Sequence, residues 1–91
     1  MSKPLTFRVH AIQRMAQRAI RAEDVRRALD TGEVIEDYPT DRPYPSALTL
    51  GWIGSRPLHV VVAAAPEKRI VITVYEPDPA RWEPGFKRRK S

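Results

Sequence analysis

Few side chains in this sequence can move a proton near neutral pH, and their spacing narrows the chemistry further. The chain has two histidines, three tyrosines and no cysteine. Metal-free cleavage of RNA needs only that inventory: a base to activate a 2′-hydroxyl, an acid for the leaving oxygen, and cations around the phosphate where charge develops. His10, His59 and Tyr75 are the candidate catalytic residues, because imidazole titrates near neutrality and a phenol can donate a proton or stack on a base. Each has a plainer alternative: His10 as a helix-start surface contact, His59 as a hydrogen-bonded core histidine, Tyr75 as a packing residue. Arg14, Arg18, Arg21 and Arg81, with Lys87, Arg88 and Arg89 of a terminal basic run, are the candidate nucleic-acid-binding residues, and the alternative for them is a solvated face.

Other chemistries lack their parts. Without cysteine, and with histidines far from an H-E-x-x-H spacing, no metal site is expected. Ser46 lies among prolines with no nucleophile-elbow pattern, and no glycine-rich loop precedes a helix to cradle nucleotide phosphates, so no cofactor is expected.

The elements that must position these side chains belong to one small domain. Ninety-one residues, 42% hydrophobic and 30% charged, suit a single modest core over 1–86, followed by a basic tail at 87–91. No stretch approaches the ~18 apolar residues of a membrane span and Met1 to Phe7 does not resemble a signal segment, so a cytoplasmic protein with no membrane partner is expected. The net charge of +5 is uneven: residues 1–30 carry seven Lys/Arg against three acids, residues 31–50 four acids against one Arg. Such asymmetry permits polyanion binding at one surface.

Ile12, Met15, Ala16 and Ala19 recur at helical spacing within Val9–Ile20, and the opposite stripe reads His10, Arg14, Gln17, Arg18, Arg21. Thr6 is a plausible cap. Glu23 and Asp24 suit the start of a second helix with Val25, Ala28 and Leu29 inside and Gly32 at its end. Val34, Ile35 and Tyr38 suggest a short strand, and Pro39, Pro43 and Pro45 then impose a loop. Leu48–Ile53, Leu58–Ala65 and Ile70–Tyr75 read as strands, the middle one covered on both faces. A two-residue Gly54-Ser55 turn would set His59 opposite Leu50. A three-residue turn instead aligns Leu48, Leu50 and Trp52 with Val62, Val60 and Leu58, and is preferred for its apolar matching. Between the last two strands the same criterion pairs Val62 with Ile72, Val60 with Val74 and His59 with Tyr75, so that His59, Thr73, Tyr75 and Thr49 share a face. Trp82 and Phe86 are expected to anchor the chain end to the sheet. The expected fold is α+β, an N-terminal helical hairpin packed on a three- to four-stranded antiparallel sheet.

HAIQRMAQRAI from His10, GEVIEDYP from Gly32, RPYPS from Arg42, LHVVV from Leu58 and VITVYEPD from Val71 stand in an order that resembles the bacterial domain-of-unknown-function family 4258. The likeness runs from about Val9 to Phe86. One departure is Ala19, where the family often has glycine before the isoleucine, which implies a more helical turn here. The family has no established activity. Its pattern is similar to the small ribonuclease toxins of the RelE and BrnT type, a fold-level analogy. The resemblance implies a toxin-like RNA-binding or metal-independent RNA-cleaving protein, with RNA and an acidic antitoxin-like protein as partners. The alternative is a non-catalytic protein-interaction module of the same fold. A DNA-binding accessory using the helices fits less well, since Glu23, Asp24 and Asp30 are mixed with the arginines of the second helix.

Overall fold

Leu5-Thr6-Phe7 is too short to show a period, yet it sets the topology. In a computed structural model describing residues 3–91, these residues form strand β1 (Leu5–Phe7), which lies parallel to β5 (Arg69–Tyr75). Between them come α1 (Val9–Gln17), α2 (Ala22–Thr31), β2 (Glu33–Tyr38), β3 (Ser46–Ile53) and β4 (Arg56–Ala64). The sheet order is β1-β5-β4-β3-β2, and all its pairs but the first are antiparallel. This corrects the expected architecture: the sheet has five strands, it is mixed, and a strand precedes the helices. The reading of Thr6 as a helix cap fails for the same reason, because Arg8 occupies the N-cap of α1.

The helices pack on the sheet, α1 over β5 and α2 over β3, more than on each other. In α1 the buried residues are Ala11 and Met15, whereas Val9 and Ile12 are 70% and 53% exposed. Of the expected stripe only Met15 is buried: Ile12, Ala16 and Ala19 are exposed and Ala11 takes the inner face, so the side that the sheet covers is turned away from that stripe. The α1 end is a Schellman turn: Ile20 N–H donates to the Met15 carbonyl at 2.9 Å, with Ala19 at a φ of 54°. The more helical turn expected there is not what forms. Ala19 takes the left-handed conformation that glycine supplies more easily. The α2 start is closed by Asp24, whose carboxylate accepts from Arg21 N–H at 2.9 Å. Ala28 of α2 lies over Gly51 of β3, where any Cβ would overlap it, so this glycine sets how closely helix and sheet approach.

β3 and β4 are joined by the two-residue Gly54-Ser55 turn, with Gly54 at a φ of 61°. Leu50 faces His59, and Leu48 faces Val61. The preferred three-residue turn is thus replaced by the register set aside, and Thr49 moves to the helix side opposite Val60. Apolar matching could not separate the two, because both sheet faces are covered. Val60, Leu58, Val71 and Val74 join the helices in one core, while Leu48, Leu50 and His59 are buried on the other face. Between β4 and β5, His59↔Tyr75, Val60↔Val74 and Val61↔Thr73 pair as expected. A bulge then sets Val62 opposite Val71 instead of Ile72.

What covers the second face is the chain after β5. Asp78 turns it, accepting from Arg81 and Trp82 N–H groups, and an isolated antiparallel bridge joins Trp82 to Arg89. Trp82 is only 4% exposed. Its role as an anchor holds, and Lys87 and Arg89 of the basic run are tied to β2 by ion pairs. Among the described residues no helix is long and apolar enough to cross a membrane.

Candidate functional site

His59 is enclosed by aromatic edges on a central strand. The Trp82 ring meets it edge-on at 4.4 Å between centroids and the Tyr75 ring at 5.2 Å. Its Nε2 lies 2.9 Å from the Phe86 carbonyl oxygen. A carbonyl can only accept, so Nε2 carries the proton and donates; in the neutral ring Nδ1 is left to accept from the Tyr75 hydroxyl at 3.3 Å. Burial pushes the His59 pKa down, against the opposing pull of the Phe86 hydrogen bond. Burial also raises the Tyr75 pKa, keeping that hydroxyl protonated as the donor this arrangement needs. Fully buried, with both nitrogens engaged, His59 has no lone pair or proton free for a substrate while Trp82 and Phe86 stay in place.

A second cluster fastens the chain end. Glu36 and Tyr38 alternate along β2 and so share a face. Arg89 donates from Nε to Glu36 Oε2 at 2.8 Å and from Nη2 to Oε1 at 3.0 Å, a bidentate pair, and its guanidinium stands 4.7 Å over the Trp82 ring. The Tyr38 hydroxyl donates to Glu36 Oε1. The Arg89 guanidinium holds the Glu36 carboxyl below its usual range, and Glu36 in turn raises Arg89. Burial, reinforced by the neighbouring carboxylate, raises Tyr38.

These two clusters border a cleft of about 550 Å³ between α1 and the chain end. Arg14, Arg18, Arg81 and Arg89 line it with Tyr75 and Trp82, and Glu76 and Asp78 supply its acids. Both acids are already engaged: Glu76 pairs with Arg56 at 2.7 Å, and Asp78 accepts from Ala80 N–H at 2.9 Å. Arg56 also donates to the Arg18 carbonyl at 2.6 Å, bracing the α1 end. Among the described residues Arg14, Arg18 and Arg81 have no carboxylate within ion-pair distance.

Of the residues singled out by type, Tyr75, Arg14, Arg18, Arg81 and Arg89 meet at one cleft, and His59 adjoins it behind Tyr75 and Trp82. His10 is exposed one turn before Arg14 and does not line the cleft; Arg21 sits at the α2 N-cap. Lys87 pairs with Glu33 at 2.8 Å, and the Arg88 carbonyl accepts from Glu83 N–H at 2.8 Å. Glu36 and Tyr38 were not anticipated in these roles. Their two-residue spacing on a strand was the available signal, but only a sheet with β2 at its edge brings them to Arg89. Among the described residues no three His, Asp or Glu side chains converge as metal ligands. A mostly apolar pocket of about 160 Å³ near Ser46, Val62 and Arg69 shares no residue with the cleft.

Fold and site together define a small α+β domain with a basic cleft between α1 and the segment after β5. The family model of the Domain of unknown function (DUF4258) matches residues 7–76, and the chain belongs to that family. No curated protein and no solved structure matches it, so the similarity to RelE- and BrnT-type toxins gains no support. The match ends at Glu76, so Arg81, Trp82 and Arg89 lie beyond it.

Proposed function

We propose that this protein binds single-stranded RNA through its phosphate backbone in the cleft between α1 and the chain end. The observation that carries this reading is the convergence of Arg14, Arg18, Arg81 and Arg89 from two separate segments, with the first three free of carboxylate partners. Guanidinium groups match phosphate oxygens in geometry as well as charge, and Tyr75 at the wall offers a ring or hydroxyl to a base or 2′-OH. Binding is better supported than cleavage. His59 is sealed, and His10 lies outside the cleft, so a general base would have to come from a rearranged strand cover. The ligand implies a cytoplasmic site of action.

Each phosphate neutralised on a single strand releases ~0.7 of a counterion, so four arginine contacts give a log–log salt slope of about −3. Replacing Arg14 and Arg18 together by alanine lowers that slope by about 1.4. Fluorescence anisotropy of a labelled oligouridylate across a salt series measures it; an unchanged slope would return the stripe to a solvated face. A protein-interaction module is the second reading, favoured by the exposed Val9 and Ile12 on α1. An acidic antitoxin-like segment would meet the same arginines, and competition between such a peptide and RNA separates the two.

A further inference from the structure

The four cleft arginines are not held alike. Arg14 stands on α1 and Arg18 at its C-cap, whereas Arg89 lies in the segment after β5, outside any helix or named strand. Yet Arg89 is the most constrained of the four. Glu36 grips it bidentately, Trp82 lies beneath its guanidinium, and Tyr38 donates to the same Glu36 oxygen, Oε1, that accepts from Arg89 Nη2. Glu36 itself lies on β2, at the sheet edge remote from β1, and does not line the cleft. The bidentate pair uses two of the five guanidinium N–H donors and leaves three for another anion.

We propose that Glu36 is a positioning residue for phosphate binding: it fixes Arg89 from across the sheet as a preformed donor fork at the cleft. This rests on the RNA-backbone reading of the same cleft. Preorganisation is the gain, because an arginine already immobilised loses less freedom when a phosphate arrives. The Glu36 charge alone would act in the other direction, since a carboxylate near a polyanion site weakens binding.

That opposition of signs makes the role testable. Glu36→Gln leaves the chain one unit more positive, so a purely electrostatic neighbour would bind oligouridylate more tightly on losing the charge. Positioning requires the reverse: about tenfold weaker binding, and a salt slope shallower by about 0.7 as the Arg89 contact is lost. Glu33→Gln makes the same change of charge but releases only Lys87, which does not line the cleft, and should leave affinity unchanged or slightly raised. Glu36→Asp keeps the charge while drawing the carboxylate back by one methylene, so weakened binding there reports geometry alone. Arg89→Ala should weaken binding as Glu36→Gln does, and the double variant no further, because both remove one contact. Thermal unfolding of each variant verifies that it is folded, and the Arg89 Nε–H resonance in the RNA-free protein should lose its exchange protection in Glu36→Gln. Equal or tighter binding by folded Glu36→Gln, or full affinity in Glu36→Asp, would overturn the positioning role while leaving the cleft reading intact. No RNA binding by the unaltered chain would overturn both.

Discussion

His59 shows how one buried side chain ties pH to stability. Burial lowers its folded pKa beneath the ordinary value of 6.5, so around and below that value the unfolded chain binds more protons than the folded one. Stability therefore falls as pH drops from above 7 through the 6.5 region. Glu36 acts in a separate window: its folded pKa lies below 4.5, so the stability it lends is present above that value and is lost as pH falls further. Urea midpoints measured between pH 7.5 and 5.5 should decrease for the unaltered chain. His59→Gln should be less stable at pH 7.5 but flat across that range, and an undiminished slope in this variant would assign the titration elsewhere. The pairing of His59 with Tyr75 was legible in the sequence, because alternation along two β-branched runs fixed which residues face each other there. The enclosure of His59 stood open in the sequence as the core-histidine alternative, but which groups would close it was not legible. It depends on Trp82 and Phe86, whose contacts across the sheet leave no local period to read.

Among the elements, the α1–α2 junction carries the clearest strain. Ala19 holds a φ of 54° inside a hydrogen-bonded Schellman turn, a conformation in which a Cβ crowds the following carbonyl. Ala19→Gly should raise stability by about 0.5–1 kcal/mol, the relief of that crowding less the greater chain entropy of glycine. Chemical denaturation at constant pH measures it, and a loss of stability would show that the left-handed turn is not retained in solution. Helix periodicity and the Gly32 stop located both helices and the inner face of α2. In α1 and its closing turn, however, Ala11 and Met15 are covered and Ile12, Ala16 and Ala19 are not, because small alanines and arginine stems leave the apolar side of that helix ambiguous. Strand register was harder. Leu48, Leu50, Val60 and Val62 are apolar on either face, so sliding β3 by one residue against β4 exchanges one covered surface for another. Only the turn chemistry of Gly54-Ser55 distinguishes the two registers. β1 left no trace of its parallel pairing because three residues cannot establish a period.

At the scale of the whole molecule, two cores share one sheet, and they differ in what closes them. The helices seal the face of Val60, Val71 and Val74, and this half lies within the span common to the family. The face of Leu48, Leu50 and His59 is sealed by residues after Glu76, with Trp82 as the central contact. The chain end is thus a structural layer of the domain as well as one wall of the basic cleft. Ending the chain after Glu76 would uncover Leu48, Leu50 and His59 together, leaving an apolar surface with a buried imidazole stripped of its Phe86 partner. Such a chain should bind a hydrophobic dye and unfold at a markedly lower urea concentration than the intact protein. Trp82→Ala in the full chain should cost about 3 kcal/mol, near the lower end for removing a buried large aromatic, since the backbone bonds to Asp78 and Arg81 persist beside the cavity. The ordering of the two effects matters more than either size. If truncation and Trp82→Ala leave the urea midpoint alike and unchanged, the chain end rests on a domain that is complete without it, and the cleft's outer wall would then be free to move away from the arginines of α1.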